Sequence, residues 1–325
     1  MDTFTSLASQ GPFGHGRVHV GFANDNVYLP HEAITTMYAQ IRAAPAKLIT
    51  THSVGGPSFQ GGADTPSAAD ILDAHGLLGK DILLSHANFA LPGTADLLAR
   101  TGASISSTPG TELQMGWPPL AQRPEYRGCA SIGVDTHSWA SGYLPGQMRL
   151  LLQYARTERA VELARQGKWS RRVGLTVEDV FNLGTVGGAR SIGMEGEIGQ
   201  LAVGMRADII IYGTNSPAML AAAEENPVAA VVLHSSERDI ETVIVDGVIR
   251  KEGGSLVDVE VSDPIDGGKP LQLGGTQFSW TEIAEKVRDT REALKGRMEG
   301  IDMKAAEEVI IDSFFMNRQN LLESL

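Results

Sequence analysis

The sequence has little cysteine, a shortage of positive charge and no long apolar run. Its single cysteine, Cys129, excludes an internal disulfide framework and is typical of a reducing compartment. Lysine and arginine number 27 against 39 acidic residues, and the net charge of −12 argues against nucleic-acid or anionic-membrane partners. No stretch approaches the ~20 apolar residues of a membrane helix. Residues 1–8 also lack the basic and apolar regions of a secretory signal, so the sequence predicts a soluble, cytoplasmic protein.

The first half of the chain alternates apolar strands with helices. Hydrophobic residues make up 42% of the sequence, which is enough for a sizeable core. Strands are predicted at 17–23, 47–51, 81–85, 103–107 and in the run that leads to Asp135. Helices are predicted at 30–41, 67–78, 94–100 and 145–165, with a long irregular segment at 108–127. This alternation indicates a parallel sheet with right-handed crossovers, either doubly wound or closed into a barrel.

The second half of the chain has a different pattern. Thr176 and Asp179 have the spacing of a helix-capping pair. Strands are then predicted at 197–201, 207–212, 228–234, 241–245 and 248–250, with a hairpin turn at Asp246–Gly247. A linker rich in proline and glycine is predicted at 262–275, followed by helices at 279–298 and 303–315, the first opened by a capping box at Ser279. These features indicate a small antiparallel module and a helical extension.

Three of the predicted parallel strands end at an ionisable side chain: His52, His86 and Asp135. Parallel α/β folds place their chemistry at the carboxyl ends of the strands. If the last strand persists, His137 points to the same side as Asp135, because residues two apart in a strand share a face. Singly, each group has a plain structural explanation, such as a histidine bonded to a backbone carbonyl or an aspartate that caps a turn. Together they favour a shared site.

Four stretches resemble the metal-dependent amidohydrolase superfamily: Ile49–His52, Leu84–Asn88, Ser131–Asp135 and Gly199–Asp208. They are most similar to its aminohydrolase and chlorohydrolase branch, which includes cytosine-deaminase-like enzymes. The last stretch is the most specific, because G-x-L-x-V-G-x-x-A-D before an apolar strand marks that family's return from barrel to β-sandwich. The resemblance covers about residues 17–255 and implies a (β/α)₈ barrel with a metal at its top.

The resemblance also implies roles for individual residues. His52 would be the metal ligand of the fifth strand. His86, on the sixth, would bind a second metal or polarise the substrate carbonyl or leaving group. Asp135 would touch the metal and take a proton from the attacking water, and His52, His86 and Asp135 together would hold a zinc or iron ion. Among the substrate-binding residues we expect His137 and two loop aromatics, Trp117 and Trp139.

The chain departs from the family pattern in several places. No His-x-His pair, which supplies two ligands from the family's first strand, occurs in the sequence. Gly55 stands where many relatives carry a glutamate, and Ser106–Pro109 lacks a histidine. Counting strands back from Asp135 gives only about five of the eight that a barrel contains. The predicted fold is therefore α/β: a partial TIM-like barrel (1–195), a β-sandwich remnant (196–260), and a linker with C-terminal helices (261–325).

Two functional hypotheses follow. The first is a hydrolase that cleaves a non-peptide C–N bond of a small molecule by metal-activated water, with Asp135 as base and His86 polarising the electrophile. The second is a truncated, non-catalytic relative that acts as an interaction or scaffold protein, its open barrel edge covered by a second copy. A third alternative is that upstream sequence with the His-x-His pair is missing from this chain.

Overall fold

A computed structural model describes residues 1–14, 16–58, 66–260, 277–314 and 316–322. Its strands are β1 Phe22–Ala23, β2 Ile49–Val54, β3 Ile82–Asn88, β4 Ser104–Ser107, β5 Ala130–Ile132, β6 Ile209–Tyr212, β7 Ile240–Val245, β8 Val248–Glu252, β9 Ser255–Leu256, β10 Val259–Glu260 and β11 Gln277–Phe278. Its α-helices are α1 Asp2–Gln10, α2 His31–Ala43, α3 Ala68–Ala74, α4 Thr94–Thr101, α5 Pro109–Gln114, α6 Leu144–Arg165, α7 Val177–Leu183, α8 Val186–Ser191, α9 Leu220–Glu225, α10 Pro227–Ala229, α11 Trp280–Met298 and α12 Met303–Ser313.

The first five strands form one parallel sheet in the order β1-β2-β3-β4-β5. This sequential order is that of a barrel wall, since the strand order of a doubly wound sheet would reverse partway. The α/β class and the partial barrel are confirmed. Strand β1 is shorter than predicted, because Val18 instead bridges to Phe13 and only Phe22–Ala23 pair with β2.

The core lies between this sheet and the helices packed on it. Helix α2 buries Ile34, Tyr38 and Ile41. These residues are four and then three positions apart, a spacing that places them on one face of the helix. Strand β2 buries alternate residues, Ile49, Thr51 and Ser53, as a pleated strand with one covered face does. Packing between the described parallel strands and their helices therefore fixes the position of the carboxyl edge of the sheet.

The segment 108–127, predicted to be irregular, contains α5 and two 3₁₀ turns, Leu120–Gln122 and Pro124–Tyr126. Pro109 occupies the first helical position of α5, where its missing N–H costs nothing. The backbone N–H of Gly110 donates to Oε1 of Gln147 on α6, at 2.7 Å. This tertiary contact supports a helix too short to be stable alone.

A second sheet is antiparallel, in the order β6-β7-β8-β9, with the predicted hairpin at Asp246–Gly247. Two strand predictions in this region were wrong. Residues 197–201 form turns. Residues 228–234 are helical, because the side chain of Asn226 caps the segment and Pro227 starts it.

The C-terminal helices begin and end close to their predicted positions, and Ser279 caps α11 through a box with Glu282. The predicted linker at 262–275 lies outside the described residues. After α12, the N–H of Asn317 donates to the carbonyl of Ser58 at 2.9 Å, and Nδ2 of Asn320 donates to that of Pro57 at 3.0 Å. Among the described helices, none is long and apolar enough to cross a membrane. The domain boundaries at 195 and 260 stay a prediction.

Candidate active site

The carboxyl edge of the parallel sheet carries a carboxylate–imidazole pair, Asp25 and His52. Oδ2 of Asp25 lies 2.9 Å from Nδ1 of His52, and Oδ1 accepts the backbone N–H of His52 at 2.8 Å. Partial burial acts to raise the pKa of Asp25, but the hydrogen bonds from the backbone and ring of His52 outweigh it and hold that pKa below its ordinary value. The ring of His52 is therefore oriented by its aspartate, with Nε2 left for another partner.

His86 lies beside this pair because the backbone bends at its position. The register pairs His52 with Ser85, so in a regular strand the two imidazoles would face opposite sides of the sheet. His86 instead has a φ of 70°, in the left-handed region. Its ring is buried and stacks on that of His52, with centroids 5.6 Å apart, while Trp117 meets it edge-on at 5.8 Å. The bend thus brings both predicted histidines to one place.

The first turn of α5 connects His86 to Asp135. Oγ1 of Thr108, the N-cap residue, lies 2.9 Å from Nδ1 of His86. The hydroxyl of Thr111, three residues on, donates to Oδ2 of Asp135 at 2.7 Å and accepts from Nε1 of Trp139 at 3.1 Å. One turn of helix therefore orients an imidazole and a carboxylate at the same edge.

The same turn carries a buried acid, Glu112, whose side chain is fully covered. Its Oε1 lies 3.5 Å from Nδ1 of His86, and neither carboxylate oxygen makes a hydrogen bond of normal geometry. Burial raises the pKa of Glu112, against the opposing effects of His86, the Thr108 backbone and Asn88. A fully buried carboxylate is costly even when neighbouring groups oppose the effect of burial, and such groups concentrate at functional sites.

Asp135 lies past the end of β5, at Ile132, and has a φ of 63°. The predicted strand does not persist to His137, so these two side chains are not on one strand face, and that expectation was wrong. His137 lies in a turn and packs against Gly142. A Cβ added at Gly142 would lie 2.5 Å from Nε2 of His137. Trp139 is half exposed and reaches the site through Thr111.

The described donors do not fit a catalytic zinc ion, which takes three protein ligands. Nowhere in the described ranges do three or more His, Cys, Asp or Glu side chains come close enough together to hold a metal ion. His52 and His86 each engage Nδ1 with protein groups, and one oxygen of Asp135 is bound by Thr111. These residues form a polar cluster at the sheet edge without forming a metal centre.

Four residues of this cluster were not predicted from the sequence: Asp25, Thr108, Thr111 and Glu112. The predicted strand and β1 both end at Ala23, and Asp25 lies two positions further on, so a search restricted to the residue that directly follows each strand passes over it. Thr108, Thr111 and Glu112 lie in the segment predicted to be irregular. Thr108-Pro109, an N-cap residue before a proline, is the local signal that a helix starts there.

Solved structures with this fold include two zinc-containing hydrolases. An atrazine chlorohydrolase from Arthrobacter aurescens, with zinc and atraton, matches with a TM-score of 0.64 and 20% identity, over 79% of this chain and 56% of that one. An adenosine deaminase from Xanthomonas campestris with bound zinc matches with a TM-score of 0.62 and 18% identity, over 80% and 57%. At these identities the similarity establishes the fold.

Curated relatives are similar over the same region. A 5-methylthioadenosine/S-adenosylhomocysteine deaminase of Desulforudis audaxviator is 27% identical over 192 residues, 58% of this chain and 42% of the relative. A 5′-deoxyadenosine deaminase of Methanobrevibacter smithii is 25% identical over 194 residues, 59% and 42%. The chain thus spans less than half the length of these relatives. The family model described as "Amidohydrolase family" matches residues 61–250, more than half of the chain, and the chain therefore belongs to the amidohydrolase family.

Proposed function

We propose that this chain hydrolyses a non-peptide C–N bond in a small nitrogen heterocycle, in the manner of a deaminase. The observation that carries the proposal is the connection made by α5, whose first turn holds His86 through Thr108 and Asp135 through Thr111. A base and an imidazole fixed at one edge of a barrel wall are the groups that general acid–base hydrolysis requires. Membership of the amidohydrolase family supports the same reaction class.

The geometry suggests different roles for Asp135 and His86 in the reaction. Asp135 has Oδ2 bound by Thr111, which leaves Oδ1 to accept a proton from the attacking water. As the water oxygen bonds to the ring carbon, the C–N bond breaks and the proton passes to the departing nitrogen, which leaves as ammonia. His86, with Nδ1 already engaged, presents Nε2 to the leaving group. His137, Trp117 and Trp139 would line the substrate, with the tryptophans offering flat faces to a planar ring.

The names of the relatives suggest the first substrates to test. They point to aminopurine nucleosides such as 5′-methylthioadenosine, S-adenosylhomocysteine and 5′-deoxyadenosine. An aminotriazine is a second class, suggested by the chlorohydrolase structure. Both classes present a planar heterocycle with a substituent at a ring carbon.

A non-catalytic role as an interaction protein is the second candidate, and two observations favour it. The described residues supply no group of three metal-binding side chains, whereas the solved relatives contain zinc. The described parallel sheet also leaves β1 and β5 as its outer strands, and a second copy of the chain could cover them. In this case the chain binds a partner and releases no product.

Ammonia release from each substrate, with and without added zinc or iron, tests the proposal. The Asp135→Asn and His86→Asn variants should lower the rate by about 100-fold or more, the range for general acid–base groups. His234→Asn, an exposed histidine in the helical turn after α10, is the matched control and should leave the rate unchanged. A folded chain that releases no ammonia from any substrate under either condition would contradict the hydrolase and favour the interaction protein.

A further inference from the structure

Helix α11 carries an apolar stripe that the rest of the described chain leaves largely uncovered. Its members are three, four or seven positions apart, which places them on one face of the helix: Trp280, Ile283, Val287, Leu294 and Met298. Helix α11 has no buried residue, and Val287 and Leu294 are 59% and 52% exposed. Because helices gain most of their stability by packing such a face, an uncovered stripe of this length is typical of a docking surface.

The stripe lies along a groove of about 780 Å³ whose described lining comes from β11 and α11 alone. Three cations line this groove, Lys286, Arg291 and Lys295, and no acid is among the described lining residues. Lys286 lies over the ring of Phe278 at 5.4 Å, and Glu292 lies 3.2 Å from Arg291 and 3.8 Å from Lys295. Exposed ion pairs of this kind contribute little and exchange partners readily. The groove therefore suits an apolar helix with acidic flanks.

Helix α12 presents the complementary chemistry. More than half of the surface is exposed for three apolar side chains on it or at its end: Val309, Ile310 and Phe314. Glu307 borders them, since it lies three positions before Ile310 and so shares its helical face. Two further acids, Glu308 and Asp312, pair with Arg318. An apolar face with acidic neighbours is thus available on the helix that follows the groove.

Within one chain these two surfaces do not meet. Residues 299–302 join the helices, a length that would allow α12 to fold back over α11 as a hairpin. Instead α12 directs Ile311 into a cleft with Pro57 and Ser58, and hydrogen bonds from the residues after α12 hold it at that loop. Complementary faces of adjacent helices that do not meet within a chain can meet between two chains, as in domain swapping.

We propose that the groove of α11 binds α12 of a second copy of this chain, and that the reverse contact forms in the same dimer. The exchange is isologous, since each copy contributes the same groove and the same helix face, and it closes at two chains. Pairing of α11 with α11 is disfavoured, because the cations that line the two grooves would repel each other. The interface is independent of the proposed hydrolysis.

Sedimentation equilibrium of the full chain tests this interface. We expect a monomer–dimer equilibrium in which Val287→Asp and Ile310→Asp each raise the Kd about 10-fold or more, because each places an unpaired charge in the contact. Val161→Asp is the matched control, since Val161 is an exposed valine on α6, and it should leave the Kd unchanged. Circular dichroism should show that all three variants stay folded, as the replaced side chains are exposed.

Charge reversal identifies the two surfaces. Arg291→Glu and Glu307→Lys should each weaken the dimer, and an equimolar mixture of the two variants should recover it, since the acidic groove then meets a basic α12. Weakening by Arg291→Glu alone would overturn the proposal, because α12 would then not be the occupant.

Three other results would also overturn it. A wild-type chain that stays monomeric at its highest soluble concentration has no such interface. A dimer that is insensitive to Val287→Asp and Ile310→Asp forms through another surface, such as the edges of the parallel sheet. Binding of a monomeric chain to vesicles of phosphatidylserine and phosphatidylcholine would assign the groove to an anionic membrane, the less favourable occupant for a chain of net charge −12.

Discussion

Four non-glycine residues at or near the carboxyl edge have left-handed backbones: His86, Ala87, Phe89 and Asp135. For L-residues this conformation costs ~1–3 kcal/mol each, and it persists only where surrounding contacts determine it. At His86 and Asp135 those contacts come from Thr108 and Thr111. The two chemically important side chains are therefore directed by the backbone as well as by hydrogen bonds, which is a form of preorganisation.

Asp25 should make the stability of the edge depend on pH. Because its pKa is lower in the folded protein than the ordinary 3.8, it stabilises the fold at neutral pH, and this contribution is lost as pH falls through the folded value. We expect Asp25→Asn to be less stable than wild type at pH ~7 and the difference to shrink at pH ~3. Urea unfolding at both values measures it. A difference that grows on acidification would contradict the assignment.

Residues that follow an apolar strand can be identified from the sequence, whereas residues that only contact them in the folded chain cannot. His52, His86 and Asp135 are recognisable because each follows an apolar run. Glu112 could not be found in this way, since its proximity to His86 depends on the left-handed backbone at His86, which no local pattern around Glu112 records. Only the folded chain brings its Oε1 to within 3.5 Å of Nδ1.

Among the secondary-structure elements, the segment around Gly199 explains why a predicted strand is absent. Gly199 has a φ of 91°, and a Cβ there would lie 2.7 Å from Cβ of Ala189 on α8. Its neighbours satisfy their backbone groups locally, with the N–H of Arg206 donating to the carbonyl of Glu197 at 2.8 Å. The apolar pattern at 197–201 is compatible with a strand, but the close approach to α8 favours a turn, and no local propensity records that contact.

Replacing Gly199 with alanine should lower the free energy of unfolding by more than the strain of its left-handed backbone accounts for. Gly204 has the same φ of 91°, but a Cβ added there would meet nothing within 4 Å, which makes Gly204→Ala the matched control. We expect Gly204→Ala to lower the free energy of unfolding by ~1 kcal/mol and Gly199→Ala by ~2–3 kcal/mol, because only the latter also meets α8. Denaturant unfolding measures both, and equal losses would show that the contact with α8 has no energetic weight.

The helix capping signals, in contrast, were reliable. Thr176 and Ser279 both form the capping boxes expected from their spacing to Asp179 and Glu282. These motifs succeed because every partner lies within four residues, so that tertiary structure has little opportunity to override them. The strand prediction at 228–234 failed for the complementary reason, since an apolar run of that length suits a strand or a buried helix equally.

Across the molecule, the main hydrophobic core is confined to the part of the chain before the C-terminal helices. Its buried members run from Val27 to Val232, while Phe278 and Ile311 are the buried apolar side chains described after residue 260. Helix α11 keeps Trp280, Val287 and Leu294 half exposed. The parallel sheet therefore does not depend on α11 and α12 for its packing.

A chain that ends at Glu260 should consequently retain the fold of the parallel sheet. We expect its unfolding to stay cooperative, with only a small decrease in melting temperature from the loss of the β10–β11 pairing and of the hydrogen bonds that Asn317 and Asn320 make to Ser58 and Pro57. Circular dichroism during thermal unfolding measures this. Loss of the cooperative transition would show that the extension is part of the folding unit.

The hydrogen bonds of Asn317 and Asn320 also have a practical consequence. The bond from Asn320 to Pro57 makes neighbours of positions separated by 263 residues, and the loop that both bonds reach begins just after the strand that carries His52. A fluorophore on Gln319 is therefore a local sensor for events at that loop, and a bulky fusion at the same end of the chain would press on it. Purification handles belong at the opposite terminus.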